Sequence, residues 1–190
     1  MKKYIPNIIT VLRIPIAILC GYYAYQLQPT PLSISLFLFV FASLSDIVDG
    51  YLARLWKIET NFGKIIDPIA DKILIMGVFI VFTYNGIIPI LFTTIIVSRE
   101  ITLTVIRLLL LPKKVVISAS RSGKIKTVSQ SVVLIIIYAI LIYISPLNEQ
   151  FGETFIKNTI WCLLLWAVFI SVYSGVEFFV KNRKVISTIV

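Results

Sequence analysis

The sequence predicts an all-α membrane protein with six transmembrane helices, both termini cytoplasmic and a polar cleft facing the cytoplasm. Three observations lead there. Hydrophobic residues make up 58% of the chain and mean hydropathy is +0.96, whereas soluble domains hold about 45–50% apolar residues. Apolar stretches of the ~20 residues that a spanning helix needs recur along the chain. Lysine and arginine gather in alternate connections between those stretches.

The first stretch runs from about Ile8 to Leu27, behind Lys2 and Lys3. No small-residue cleavage site follows it, so it reads as a retained span rather than a signal peptide. The second runs from about Leu32 to Leu55, after Pro29 and Pro31, and the third from about Ile65 to Tyr84. Asn85-Gly86 marks a turn before the fourth, at about Ile87 to Leu111. The fifth, about Val128 to Ser145, lies between Pro112 and Pro146, and the sixth covers about Phe155 to Val180. Arg54, Lys57 and Lys64 fall between the second and third stretches, and Lys113, Lys114, Arg121, Lys124 and Lys126 between the fourth and fifth. Lys181, Arg183 and Lys184 follow the sixth, while the opposite connections hold Glu149, Glu153 and Lys157. That asymmetry places both termini and the basic connections in the cytoplasm. Residues 1–190 read as a single membrane domain.

Histidine is absent, which excludes imidazole catalysis and imidazole metal ligation. Cys20 and Cys162 both sit in apolar runs, which argues for packing residues rather than a disulfide or zinc site. The net charge is +9, from 18 basic and 9 acidic residues. In a membrane chain that balance suits membrane lipids with anionic head groups and a phosphate-bearing substrate, and no nucleic acid is expected.

Four aspartates crowd the second and third stretches: Asp46, Asp49, Asp67 and Asp71. Carboxylates at such depth are expensive and usually functional. At ~100° per helical residue, Asp46, Asp49, Gly50 and Ala53 share about a third of the circumference. Gly63, Asp67 and Asp71 advance only ~40° per step and share a face as well. Four carboxylates without histidine or thiolate form a hard-oxygen site suited to Mg²⁺ or Mn²⁺. Gly50, Ala53 and Gly63 on the same faces allow close approach to the helix backbone. Any single pair could be solvated, and small residues in membrane helices commonly serve helix packing.

The whole array, Asp46-x2-Asp49-Gly50-x2-Ala53-Arg54-x8-Gly63-x3-Asp67-x3-Asp71, resembles the signature of the CDP-alcohol phosphatidyltransferase family at every defining position. The resemblance implies transfer from a CDP-linked lipid to an alcohol with release of CMP. It implies that Asp46, Asp49 and Asp67 ligate the metal, and that Asp71 is the general base and a further ligand. It also implies that CDP-diacylglycerol lies against Asp49, Gly50, Ala53, Arg54 and Gly63, and that the protein is a homodimer.

Two further segments bear on the acceptor. Pro6-Asn7-x2-Thr10-x2-Arg13 resembles the start of the phosphatidylglycerophosphate synthase branch of that family. There Asn7 and Thr10 would help hold the CDP-lipid, although Asn7 equally suits a helix cap. Ser98-Arg99-Glu100, Arg107 and Ser122-Gly123-Lys124-Ile125-Lys126-Thr127 resemble the same branch. The resemblance implies glycerol 3-phosphate as acceptor, its phosphate held by Arg99, Arg107, Lys124 and Lys126. Read structurally, Glu100 and Arg107 lie seven residues apart on one helix face and could form a buried salt bridge, and residues 122–127 could be a solvated basic loop. Phosphatidylglycerol (a cardiolipin synthase), serine and inositol phosphate are the rival acceptors. A cation transporter is the rival of another class, but transporter acids tend to lie near the midplane, and these lie towards one end.

Overall fold

The computed structural model describes the backbone of residues 5–55, 61–110, 121–144 and 152–186, and side chains within 12–45, 72–110, 122–144 and 152–183. All regular structure among the described residues is helical. In chain order the helices are α1 (Ile5–Tyr25), α2 (Pro29–Leu55), α3 (Asn61–Tyr84), α4 (Ile90–Leu110), α5 (Arg121–Ala139) and α6 (Glu153–Ile186). A π-helical turn, Ile140–Ile144, continues α5.

The helix ends follow from local chemistry. Pro29 and Pro31 open α2, where a missing N–H costs nothing and the fixed φ is already helical. Pro15 lies inside α1, where it removes one backbone hydrogen bond. The Asn85-Gly86 turn closes α3 as a Schellman motif. Gly86 takes φ 75°, its N–H donates to the Thr83 carbonyl at 3.0 Å, and Ile87 N–H donates to the Phe82 carbonyl at 2.9 Å. This turn moves the start of α4 to Ile90, beyond the expected Ile87. A larger correction falls on α5. It begins at Arg121, so residues 122–127 form its first turns instead of a solvated basic loop.

α1 packs mainly against α2 and α3, α5 against α6, and α4 against α6 and α3. A small polar knot fastens α1, α2 and α5. The Ser35 hydroxyl donates to the Cys20 carbonyl at 2.7 Å and lies 2.6 Å from the Tyr138 hydroxyl. Tyr138 is sealed and meets Phe82 of α3 edge-on at 4.9 Å between ring centroids. A buried phenol needs such a partner. Cys20 packs inside this core, whereas Cys162 is exposed.

Polarity runs the reverse way to a soluble protein. Arg13, Glu100, Lys126, Gln130, Ser171 and Ser174 are buried, while Phe37, Leu91, Ile101, Trp161, Trp166 and Phe169 are exposed. Apolar surface on this scale marks contact with lipid or protein rather than water. Among the described residues, two helical stretches are long and apolar enough to cross a membrane: Ser122–Ile144, with mean hydropathy 2.3, and Glu153–Arg183, with 2.0. Shorter apolar helical stretches are Leu12–Tyr25, Pro29–Ser45 and Lys72–Tyr84. The described residues are all-helical, with the two long apolar helices and exposed apolar surface of a membrane protein.

Candidate active site

The array divides between two consecutive helices. Asp46, Asp49, Gly50, Ala53 and Arg54 occupy the C-terminal part of α2, and Gly63, Asp67 and Asp71 the N-terminal half of α3. Both sets therefore lie beside the 56–60 connection. Asn7 and Thr10 lie in the first turns of α1. The side chains of these ten residues fall outside the described side chains. Among the described residues no cluster of three or more metal-ligating side chains forms.

The next residue along α3, Lys72, opens a second polar centre. Its ammonium lies 3.7 Å from Glu100 Oε2 on α4, 3.4 Å from the Glu100 carbonyl, and donates to the Thr104 hydroxyl. Arg99 places Nη1 2.6 Å from Glu100 Oε1, and Lys126 of α5 donates to that same oxygen. Arg99 Nη2 donates to the Ser174 hydroxyl of α6 at 2.9 Å. Glu100 thus joins basic groups from α3, α4 and α5, and Arg99 extends the chain of contacts to α6. A carboxylate that is 4% exposed survives among apolar helices only when paired in this way.

Arg99 of α4 lies against Gly175 of α6. A Cβ there would stand 3.4 Å from Arg99 Nε and 3.5 Å from Arg99 Cγ. Arg99 Nε is buried without a hydrogen-bond partner among the described residues. One turn further along α6, Phe178 receives the Arg107 guanidinium over its ring at 5.4 Å.

The four basic residues expected to bind the acceptor phosphate therefore differ in setting. Arg99 and Lys126 meet at Glu100. Arg107 stacks on Phe178 and does not pair with Glu100, so the alternative reading of a Glu100–Arg107 bridge is set aside: Glu100 is already occupied by Arg99, Lys126 and Lys72. Lys124 is exposed and borders an outward-facing apolar groove of about 490 Å³ between α5 and α6. Sequence reasoning missed Lys72 and Ser174. A lone lysine at the start of an otherwise apolar helical run could have flagged the first. Nothing in the sequence distinguishes Ser174 from the other serines.

The family model for CDP-alcohol phosphatidyltransferase matches residues 3–173. The chain is 38% identical over 149 residues to a CDP-diacylglycerol–glycerol-3-phosphate 3-phosphatidyltransferase of Bacillus subtilis, covering 78% of this chain and 73% of that one. It is 32% identical over 188 residues to a protein of the same name from Rickettsia felis, covering 97% and 98% of the two chains. A third such protein, from Mycoplasma pneumoniae, is 30% identical over 213 residues, covering 99% and 90%. A carboxylate array split across α2 and α3 and a match over most of the length place this chain in the CDP-alcohol phosphatidyltransferase family.

Proposed function

We propose that the chain transfers the phosphatidyl group of CDP-diacylglycerol to glycerol 3-phosphate in phospholipid biosynthesis, giving phosphatidylglycerol phosphate and CMP. The observation that carries this reading is the likeness over nearly the whole length, 97% of this chain and 98% of the Rickettsia felis protein, to an enzyme named for that reaction.

The residues suit the chemistry. A glycerol hydroxyl oxygen attacks the phosphorus that bears diacylglycerol, and the bond from that phosphorus to the CMP oxygen breaks. Asp71 takes the hydroxyl proton. Asp46, Asp49, Asp67 and Asp71 would hold Mg²⁺ or Mn²⁺, because an all-oxygen donor set fits a hard cation. When bound, such an ion neutralises charge across the diphosphate. Asn7, Thr10, Asp49, Gly50, Ala53, Arg54 and Gly63 would receive the CDP-lipid, the small residues leaving room against the backbone. Arg99 and Lys126 would grip the acceptor phosphate, with Arg107 and Lys124 beside them. The cationic cluster one residue beyond Asp71 supports an acceptor that itself carries phosphate.

The alternation of basic connections supports six spans with both termini and the site facing the cytoplasm, in a multi-pass protein of the cell membrane. The resemblance to the family supports a homodimer built from a single 1–190 domain. The test is an acceptor screen. Purified protein receives CDP-diacylglycerol and Mg²⁺, then glycerol 3-phosphate, serine, inositol phosphate or phosphatidylglycerol in turn. CMP release is expected with the first alone. Release with one of the others but not glycerol 3-phosphate would reassign the acceptor, and release with none would end the transferase reading.

A further inference from the structure

We infer that Glu100 is a positioning residue for the acceptor site, acting through Arg99 and Lys126 rather than on the substrate. The inference rests on the acceptor reading above and names the group that sets its geometry.

Glu100 carries the same sign of charge as a phosphate, so it cannot hold the acceptor phosphate itself. Its Oε1 takes both Arg99 Nη1, at 2.6 Å, and the Lys126 ammonium. One oxygen therefore draws a guanidinium from α4 and an ammonium from α5 to a common point. The pair brings two positive charges to one negative, so it stays cationic after pairing. The guanidinium is held at two corners, by Glu100 and by Ser174 of α6. Its plane is fixed, with Nε buried against Gly175 of α6. A planar guanidinium held this way keeps one orientation in the site, as a freely rotating ammonium alone does not.

A stabilising role explains this arrangement poorly. Buried ion clusters seldom stabilise a fold beyond what well-packed apolar side chains of the same volume achieve. Their better-attested use is to fix one geometry among several. Here the fixed geometry is the relative placement of α4 and α5, with Lys72 linking it to the helix that carries Asp67 and Asp71.

The test is Glu100→Gln in the purified full chain, in lipid micelles, with both substrates varied. Glutamine keeps the length and one carbonyl oxygen but loses the charge. The KM for glycerol 3-phosphate is expected to rise about tenfold, the scale of one weakened charge-assisted contact. The KM for CDP-diacylglycerol should stay within about twofold, because Arg99 and Lys126 are assigned to the acceptor and not to the lipid. Glu100→Asp, which restores the charge, should recover part of the acceptor affinity. Equal changes in both KM values, or none, would overturn the inference. If Glu100→Gln does not purify as folded protein, Ser174→Ala takes its place. It frees one corner of Arg99 and is expected to raise only the acceptor KM, by about threefold for a single neutral partner lost; an unchanged acceptor KM there would equally overturn it. Wild-type protein is assayed first. A wild type inactive with glycerol 3-phosphate fails the acceptor reading itself, an outcome separate from an active wild type whose variants show no split.

Discussion

Lys126 of α5 donates to Glu100 of α4, and the two residues are only 5% and 4% exposed. Removing the lysine would take away one of the three cations on this carboxylate and leave Arg99 and Lys72 to hold it. Lys126→Met is expected to cost about 1.5–3 kcal/mol of stability, the scale of one charge-assisted contact, read as a lower Tm in detergent. Lys126→Met combined with Glu100→Gln should cost less than the sum of the two single changes, because directly coupled neighbours are not additive. Lys124→Ala, at an exposed position of the same helix, should leave Tm unchanged. A Lys126 variant as stable as the parent would show that the pair does not hold α4 to α5.

The aspartates should behave in the opposite way. Replacing Asp46, Asp49 or Asp67 with Ala is expected to lower turnover by at least about 100-fold, the scale of losing one group that stabilises transition-state charge. Tm should not fall, since removing one of four clustered like charges relieves repulsion. EDTA should abolish parent activity, with recovery on adding Mg²⁺ or Mn²⁺. Undiminished turnover in chelated, metal-free buffer would remove the metal from the reaction.

Arg99 packs against Gly175 of α6, where a single Cβ would fit at ordinary contact distance and a branched side chain would crowd it. Gly175→Val places branched carbons where a Cβ already approaches Arg99 Nε to 3.4 Å. The side chain must shift and lose its Ser174 bond. The acceptor KM is expected to rise about tenfold, with a smaller change in the KM for CDP-diacylglycerol. Steady-state kinetics with each substrate varied would check this. Unchanged kinetics would mean that Arg99 does not depend on its seat against α6.

The Tyr138 knot lies away from the chemistry. Ser35 precedes Asp46 by eleven residues along α2, about 16 Å of helix rise. Tyr138→Phe removes the hydroxyl that lies 2.6 Å from Ser35. It should cost about 1 kcal/mol of stability and leave kcat unchanged. A chemical denaturation series beside an activity assay would separate the two effects. A large loss of kcat without loss of stability would tie the knot to the site.

Topology is tested by single cysteines in a background lacking Cys20 and Cys162. A cysteine at Lys113 should react with an impermeant probe from the cytoplasmic side, and one at Gln150 from the outside. Cytoplasmic labelling at 150 would break the six-span arrangement.

The helices were legible in the sequence because apolar length and punctuation determine them locally. Asn85-Gly86 announced its turn by the chemistry that makes it one. The start of α5 was not legible, because Ser122 to Thr127 looks solvated when read alone. The partner that satisfies its buried Lys126 is Glu100, twenty-six residues earlier. The same reason hid the partner of Glu100. Helical spacing favoured Arg107, but the adjacent Arg99 and two residues from other helices occupy the carboxylate. The carboxylate array was legible because its spacing is periodic within two consecutive helices. Contacts between distant helices carry no such local mark.

The most direct test of the account is to follow the product itself. The protein is given CDP-diacylglycerol, Mg²⁺ and uniformly ¹³C-labelled glycerol 3-phosphate, and lipids are resolved by mass spectrometry while CMP is measured in the same sample. The expected product is a lipid that carries the labelled glycerol and keeps the acceptor phosphate, formed in equal amount to CMP and absent with Asp71→Asn. CMP released without label entering the lipid, or labelled lipid formed as well by the Asp71→Asn protein, would contradict it.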